Sequence, residues 1–130
     1  MIHRRQLLAV AAAALAASTL AARAEVGTPF TPEAFAAATA TGKPVLVDVT
    51  ASWCPVCKAQ HPVIESLKAR PEFADLVVLA VDFDSQKDVL RSFGAQRQST
   101  LIVFRGTTET GRSIGDTDPA SIEALLRSAI

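Results

Sequence analysis

The 130-residue chain has little of what most folds use for stapling or marking a site: two cysteines, two histidines, one tryptophan, one methionine and no tyrosine. Two cysteines exclude a disulfide-dense scaffold. The pair, Cys54 and Cys57, also closes a very short loop, which constrains an unfolded chain little. An excess of one charge is missing too, since 13 basic residues balance 13 acidic ones. That leaves no electrostatic footprint for nucleic acid. The sequence shows no phosphate-binding glycine loop, no repeat, no low-complexity linker and no aromatic stripe suited to a cofactor. What remains is one small domain with two thiols better suited to chemistry than to scaffolding.

No apolar run reaches the ~20 residues that a spanning helix needs. The nearest candidate, Leu7 to Ala22, follows the basic start Met1-Ile-His-Arg-Arg and precedes Ala22-Arg23-Ala24. A charged start, an apolar middle and a small-residue end predict a secretory signal peptide over residues 1–24, cleaved after Ala24. Arg4-Arg5 gives it some likeness to a twin-arginine signal, but the Sec route is the expectation. The expected mature chain, residues 25–130, loses Arg4, Arg5 and Arg23, leaving ten basic residues against the 13 acidic ones. Export to the periplasm would place both cysteines where disulfides persist.

Thr31-Pro32-Glu33 predicts a helix start, with a hydroxyl cap, proline in the first turn and an acid near the positive end. Val45 to Val49 is β-branched and apolar on both faces except for Asp48, so it reads as a central strand. A helix is predicted from Pro55 to Arg70, kinked at Pro62. Leu76 to Val81 is a second buried strand. A short helix from Ser85 to Phe93 stops at Gly94. Strands follow over 100–104 and 108–114. Asp118 and Pro119 then open a last helix, with Ile122, Leu125, Leu126 and Ile130 on one face. The order α-β-α-β-α-β-β-α implies an α/β domain, with a mixed four-stranded sheet flanked by helices.

Trp53-Cys54-Pro55-Val56-Cys57-Lys58 falls where the central strand gives way to a helix. A helix N-terminus favours negative charge, so a thiol at Cys54 would be held as the nucleophilic thiolate. Cys57, one turn further in, can close a disulfide with it and resolve a mixed disulfide with a substrate.

Here the chain resembles the thioredoxin family over nearly all of residues 25–130. Besides the cysteines, the likeness is carried by Asp48, Trp53, Pro62, Phe93-Gly94, Leu101 to Phe104 and Gly115. The resemblance implies a thioredoxin-like fold and a protein-disulfide oxidoreductase that needs no organic cofactor. It also implies Asp48 as a buried acid exchanging a proton with Cys57. The chain departs from the family pattern in three places. Ser99 stands where the family has a cis-proline, so a trans peptide is expected there. Pro55-Val56 replaces Gly-Pro, which points to a more oxidising couple. Ala80 occupies the position of a lysine that often pairs with the buried acid, and the family's first strand is missing or very short.

Several residues keep two readings. Trp53 is expected to shield the cysteines without a chemical role. Lys58 is a solvated helix residue or a charge favouring the thiolate. Ser99 is a turn residue or a hydroxyl facing the sulfurs. His61 is a surface residue, a tuner of the thiols, or a third ligand after Cys54 and Cys57 for Cu(I) or zinc. That last option defines the alternative function, a metal-binding chaperone on the same fold; a binding module with vestigial chemistry is a third. The leading expectation is a monomeric periplasmic enzyme acting on protein thiols and disulfides, with a membrane-embedded redox partner as a candidate source of electrons.

Overall fold

The computed structural model describes residues 26–130, so the expected leader and its cleavage point lie outside the described residues. In chain order the elements are β1 (Thr28–Pro29), α1 (Pro32–Ala40), β2 (Pro44–Thr50), α2 (Pro55–Lys68), a 3-10 turn (Pro71–Phe73), β3 (Val77–Asp82), α3 (Lys87–Phe93), β4 (Thr100–Arg105), β5 (Thr108–Ile114) and α4 (Pro119–Arg127). Val45 to Val49 of β2 are fully buried, and the strand lies in the middle of a sheet ordered β1-β3-β2-β4-β5. β3 runs parallel to both β1 and β2, while β4 and β5 are antiparallel to their neighbours.

Alternation along β2 divides the core. Val45, Val47 and Val49 meet Phe30, Leu79, Leu90, Ile102 and Phe104, with Phe35 of α1 and Phe93 of α3 packed on them. Leu46 faces the other way, into a cluster with Ile64 and Leu67 of α2, Phe73, and Ile122 and Leu126 of α4. Helices therefore cover both faces of a mixed sheet, the arrangement expected from the element order.

The sheet has five strands where the sequence predicts four. The added strand is the two-residue β1, within the stretch that reads as a lead-in, and of the two alternatives for the family's first strand, missing or very short, it is the second. Two residues ending in proline carry no alternation, so only their partner reveals them: Thr28 pairs with Leu79 and Pro29 with Ala80. Gly27, at φ +93°, makes this approach possible, because a Cβ there would lie 2.5 Å from the Val78 carbonyl oxygen. Thr31 caps α1 by accepting the Ala34 N–H at 3.0 Å, and Asp118 caps α4 by accepting the Ser121 N–H at 3.0 Å. Gly94 ends α3 in the left-handed conformation, φ +62°. Helix α2 runs on through Pro62; the missing N–H removes the helical bond that the Lys58 carbonyl would receive. Among the described residues, no helix is long and apolar enough to cross a membrane.

Candidate active site

β2 ends at Thr50, and after a short turn Cys54 is the N-cap of α2, extended at φ −85° and ψ 110°. Its Sγ accepts the Cys57 N–H at 3.1 Å. Pro55, whose N–H would be surplus in the first turn, follows it. Cys54 and Cys57 form a disulfide with their Cα atoms 5.3 Å apart. In this oxidised form both are buried, at 1% and 0% exposure. Ala51 and Phe83 pack against them.

Phe83 therefore contributes to the cover that the sequence assigns to Trp53. The tryptophan is 53% exposed. Its Nε1–H donates to Asp84 Oδ2 at 2.8 Å, and its ring meets Phe83 edge-on with 6.4 Å between centroids. Pro55, Val56 and Lys58 lie exposed on the first turns of α2.

Asp48 sits on the face of β2 that looks towards α2, beside Leu46. Its Cα partners are Ala80 on β3 and Leu101 on β4. It is fully buried, and among the described residues neither carboxylate oxygen has a hydrogen-bond partner. His61 Nε2 lies 3.3 Å from Asp48 Oδ2, within ion-pair distance but outside hydrogen-bond geometry. The same nitrogen lies 3.4 Å from Thr50 Oγ1. A cleft of about 450 Å³ opens here, with Asp48, Thr50, Lys58, His61, Ala80 and Asp82 among its walls. His61 is thus half-buried against the acid rather than an ordinary surface histidine.

Ser99 lies across β2 from this cleft, just ahead of β4. Among the described residues there is no cis peptide, as expected at this position, and Ser99 is the one non-glycine residue at positive φ, 59°. That conformation costs a residue with a Cβ roughly 1–2 kcal/mol. Surrounding bonds hold it: the Ser99 N–H donates to the Val49 carbonyl at 2.7 Å, and its own carbonyl accepts the Gly115 N–H at 3.0 Å. Gln60 Nε2 also donates to the Ser99 carbonyl at 3.2 Å and to that of Asp116 at 2.8 Å. The Ser99 hydroxyl turns to its own backbone, donating to the Gln98 carbonyl at 2.5 Å, and not to the sulfurs. Gln60 and Phe83 are absent from the sequence reading. Gln60 could have been found there as the polar member of an otherwise apolar stripe on α2 with Cys57, Ile64 and Leu67.

Among the described residues no group of three or more His, Cys, Asp and Glu is placed to hold a metal ion. His61 turns to Asp48 while both sulfurs are in the disulfide, so the arrangement lends the metal-binding alternative no support.

A family profile described as Thioredoxin matches residues 27–128. The chain belongs to the thioredoxin family. The thioredoxin of Chlamydia trachomatis is 37% identical over 72% of this chain and 89% of its own length. Thioredoxin H2-1 of Oryza sativa subsp. japonica is 37% identical over 58% of this chain, a match spanning 53% of that longer protein. The crystal structure of Trxlp from Edwardsiella tarda superposes with a TM-score of 0.74 at 47% identity, covering 76% of this chain and 96% of the other. With the Cys54–Cys57 pair at the strand-to-helix junction, this thioredoxin-family protein is a thiol–disulfide oxidoreductase.

Proposed function

We propose that this thioredoxin-family protein works in the periplasm on disulfides of other proteins, with Cys54 as nucleophile, Cys57 as resolving thiol and Asp48 as the group that exchanges a proton with Cys57. The observation that carries this reading is the Cys54 sulfur at the cap of α2, receiving an amide N–H. Once the disulfide is reduced, the same amide and the positive end of a 14-residue helix favour the thiolate. Cys54 attacks a substrate disulfide and forms a mixed disulfide, releasing one substrate thiol. Cys57 then gives up its proton and attacks the Cys54 sulfur; the intramolecular disulfide re-forms and the second substrate thiol leaves. Electrons return from a dithiol partner, for which a membrane-embedded reductase is the candidate.

Reduction of insulin disulfides with dithiothreitol as donor tests the chemistry: Cys54→Ser should lose turnover, and equal rates for both proteins would eliminate the reading. Cys57→Ser should trap the client protein as a mixed disulfide with Cys54, which identifies the pathway. The export half rests on residues 1–24. Protein recovered from a periplasmic extract should begin at Glu25, and a chain that keeps Met1 would overturn it.

A further inference from the structure

We propose that His61 is a positioning and proton-relay residue, carrying the Cys57 proton from Asp48 to the solvent of the cleft beside α2. This rests on the reading of Cys57 as the resolving thiol. Cys57 and His61 are four residues apart on α2 and so share one face of the helix. Asp48 points at that face from β2. Its neighbour Val49 has its carbonyl oxygen 4.0 Å from Cys57 Sγ, and His61 Nε2 stands 3.3 Å from Asp48 Oδ2. A buried carboxylate with no hydrogen-bond donor is costly unless a cation faces it. Among the described residues, His61 is the cation-capable group within ion-pair distance of it. Opposite Asp48 on β3, Ala80 offers only a methyl group, which leaves the cleft open between them. The His61 side chain is 27% exposed, so one ring touches both the buried acid and the solvent-facing wall.

In the mixed disulfide, Cys57 S–H passes its proton to Asp48 and, through it, to neutral His61. The thiolate displaces the substrate sulfur from Cys54, two electrons having moved from the dithiol to the substrate disulfide. The Asp48–imidazolium pair left behind releases its proton to water in the cleft. Below the titration of His61 the ring already holds a proton and cannot accept another. Well above neutrality, solvent base deprotonates Cys57 without help. The contribution of His61 is therefore largest between those limits. The other titratable groups lining the cleft with His61 are Lys58 on α2, Asp48 on β2 and Asp82 at the end of β3, while β1 brings none; Cys57 and Glu65 lie four residues to either side of it on α2.

The test is stopped-flow reaction of the reduced enzyme with 5,5′-dithiobis(2-nitrobenzoate). A first thionitrobenzoate is released by Cys54 and a second by Cys57. Wild type should show a second phase that accelerates as pH rises, with a break where the His61 ring loses its proton. His61→Gln keeps a polar group beside Asp48 but cannot titrate. It should leave the first phase within about twofold and slow the second about tenfold near pH 7, less than the hundredfold or more typical of losing the acid–base group itself. Its pH break should vanish and the gap should close in alkali. An unchanged second-phase pH profile in His61→Gln overturns the relay while sparing the enzyme reading. Absence of the first phase in wild type overturns the enzyme reading. A measurement on wild type alone covers the case of a variant that does not fold: the His61 imidazole carbon should titrate differently in the reduced and oxidised enzyme, and identical curves overturn the relay.

Discussion

Val45, Val47 and Val49 point from β2 into a layer of phenylalanines, where Phe35 lies 5.4 Å from Phe93 and 5.2 Å from Phe104, ring centroid to centroid. Leu46, Asp48 and Thr50 of the same strand point the other way, and only Leu46 meets an apolar neighbourhood. Asp48 meets His61, and Thr50 meets the same imidazole. One face of the strand is thus packed throughout with apolar groups, and its aromatic rings add edge-to-face contacts. The other turns polar towards its carboxyl end, where the redox pair sits. Chemistry is confined to the carboxyl end of one face of the strand, while the other face serves packing alone.

Substitutions on each side should separate the two properties. The largest effect belongs to Cys54→Ser: insulin reduction should fall about a thousandfold or more, while the urea midpoint, compared with that of the reduced wild type, should barely move. Phe104→Ala should do the reverse. Emptying a buried aromatic site costs about 3–5 kcal/mol, visible as a lower urea midpoint, while kcat/KM of the folded fraction stays near wild type. Asp48→Val tests the comparison from the polar side. Replacing a buried carboxylate that lacks hydrogen bonds by an apolar group should raise stability by about 1–3 kcal/mol and slow the resolving step about a hundredfold; a variant both less stable and equally fast would break the comparison.

The smallest effect is expected far from both faces. Glu109 on β5 is held below the ordinary carboxylate range, chiefly by its side-chain hydrogen bond with Arg112. A depressed folded-state value means that the pair stabilises the protein above the ordinary glutamate titration and loses that contribution as pH falls through the folded-state value. The two side chains are 34% and 37% exposed, so solvent screening limits the pair to under about 1 kcal/mol. Glu109→Gln should accordingly shift the urea midpoint only slightly at neutral pH and not at all in acid.

Much of this design is written in local sequence. Thr31, Cys54, Gly94 and Asp118 mark helix ends by chemistry confined to a few residues, and each does so in the structure. The cysteine pair, the buried acid and the trans peptide at Ser99 were legible in the same way. What was not legible depends on register and approach between distant segments. β1 exists because Thr28 and Pro29 reach Leu79 and Ala80. Phe83 covers the disulfide because β3 ends beside it. The i, i+4 spacing of Cys57 and His61 announces a shared face but not that Asp48 lies opposite. The positive φ of Ser99 and the turn of its hydroxyl to the Gln98 carbonyl are not announced by a serine, as a glycine there would have announced the backbone.

Ser99 spends both of its main-chain groups inside the molecule, the amide on Val49 and the carbonyl on Gly115 and Gln60. An incoming extended peptide would find neither edge of that residue available for strand-like pairing. Side-chain contacts are what remain, and the exposed Trp53 and Val56 stand on either side of Cys54 in the chain. With main-chain pairing closed at this residue, whatever is recognised there is read through side chains, the part of peptide recognition that depends on a partner's sequence.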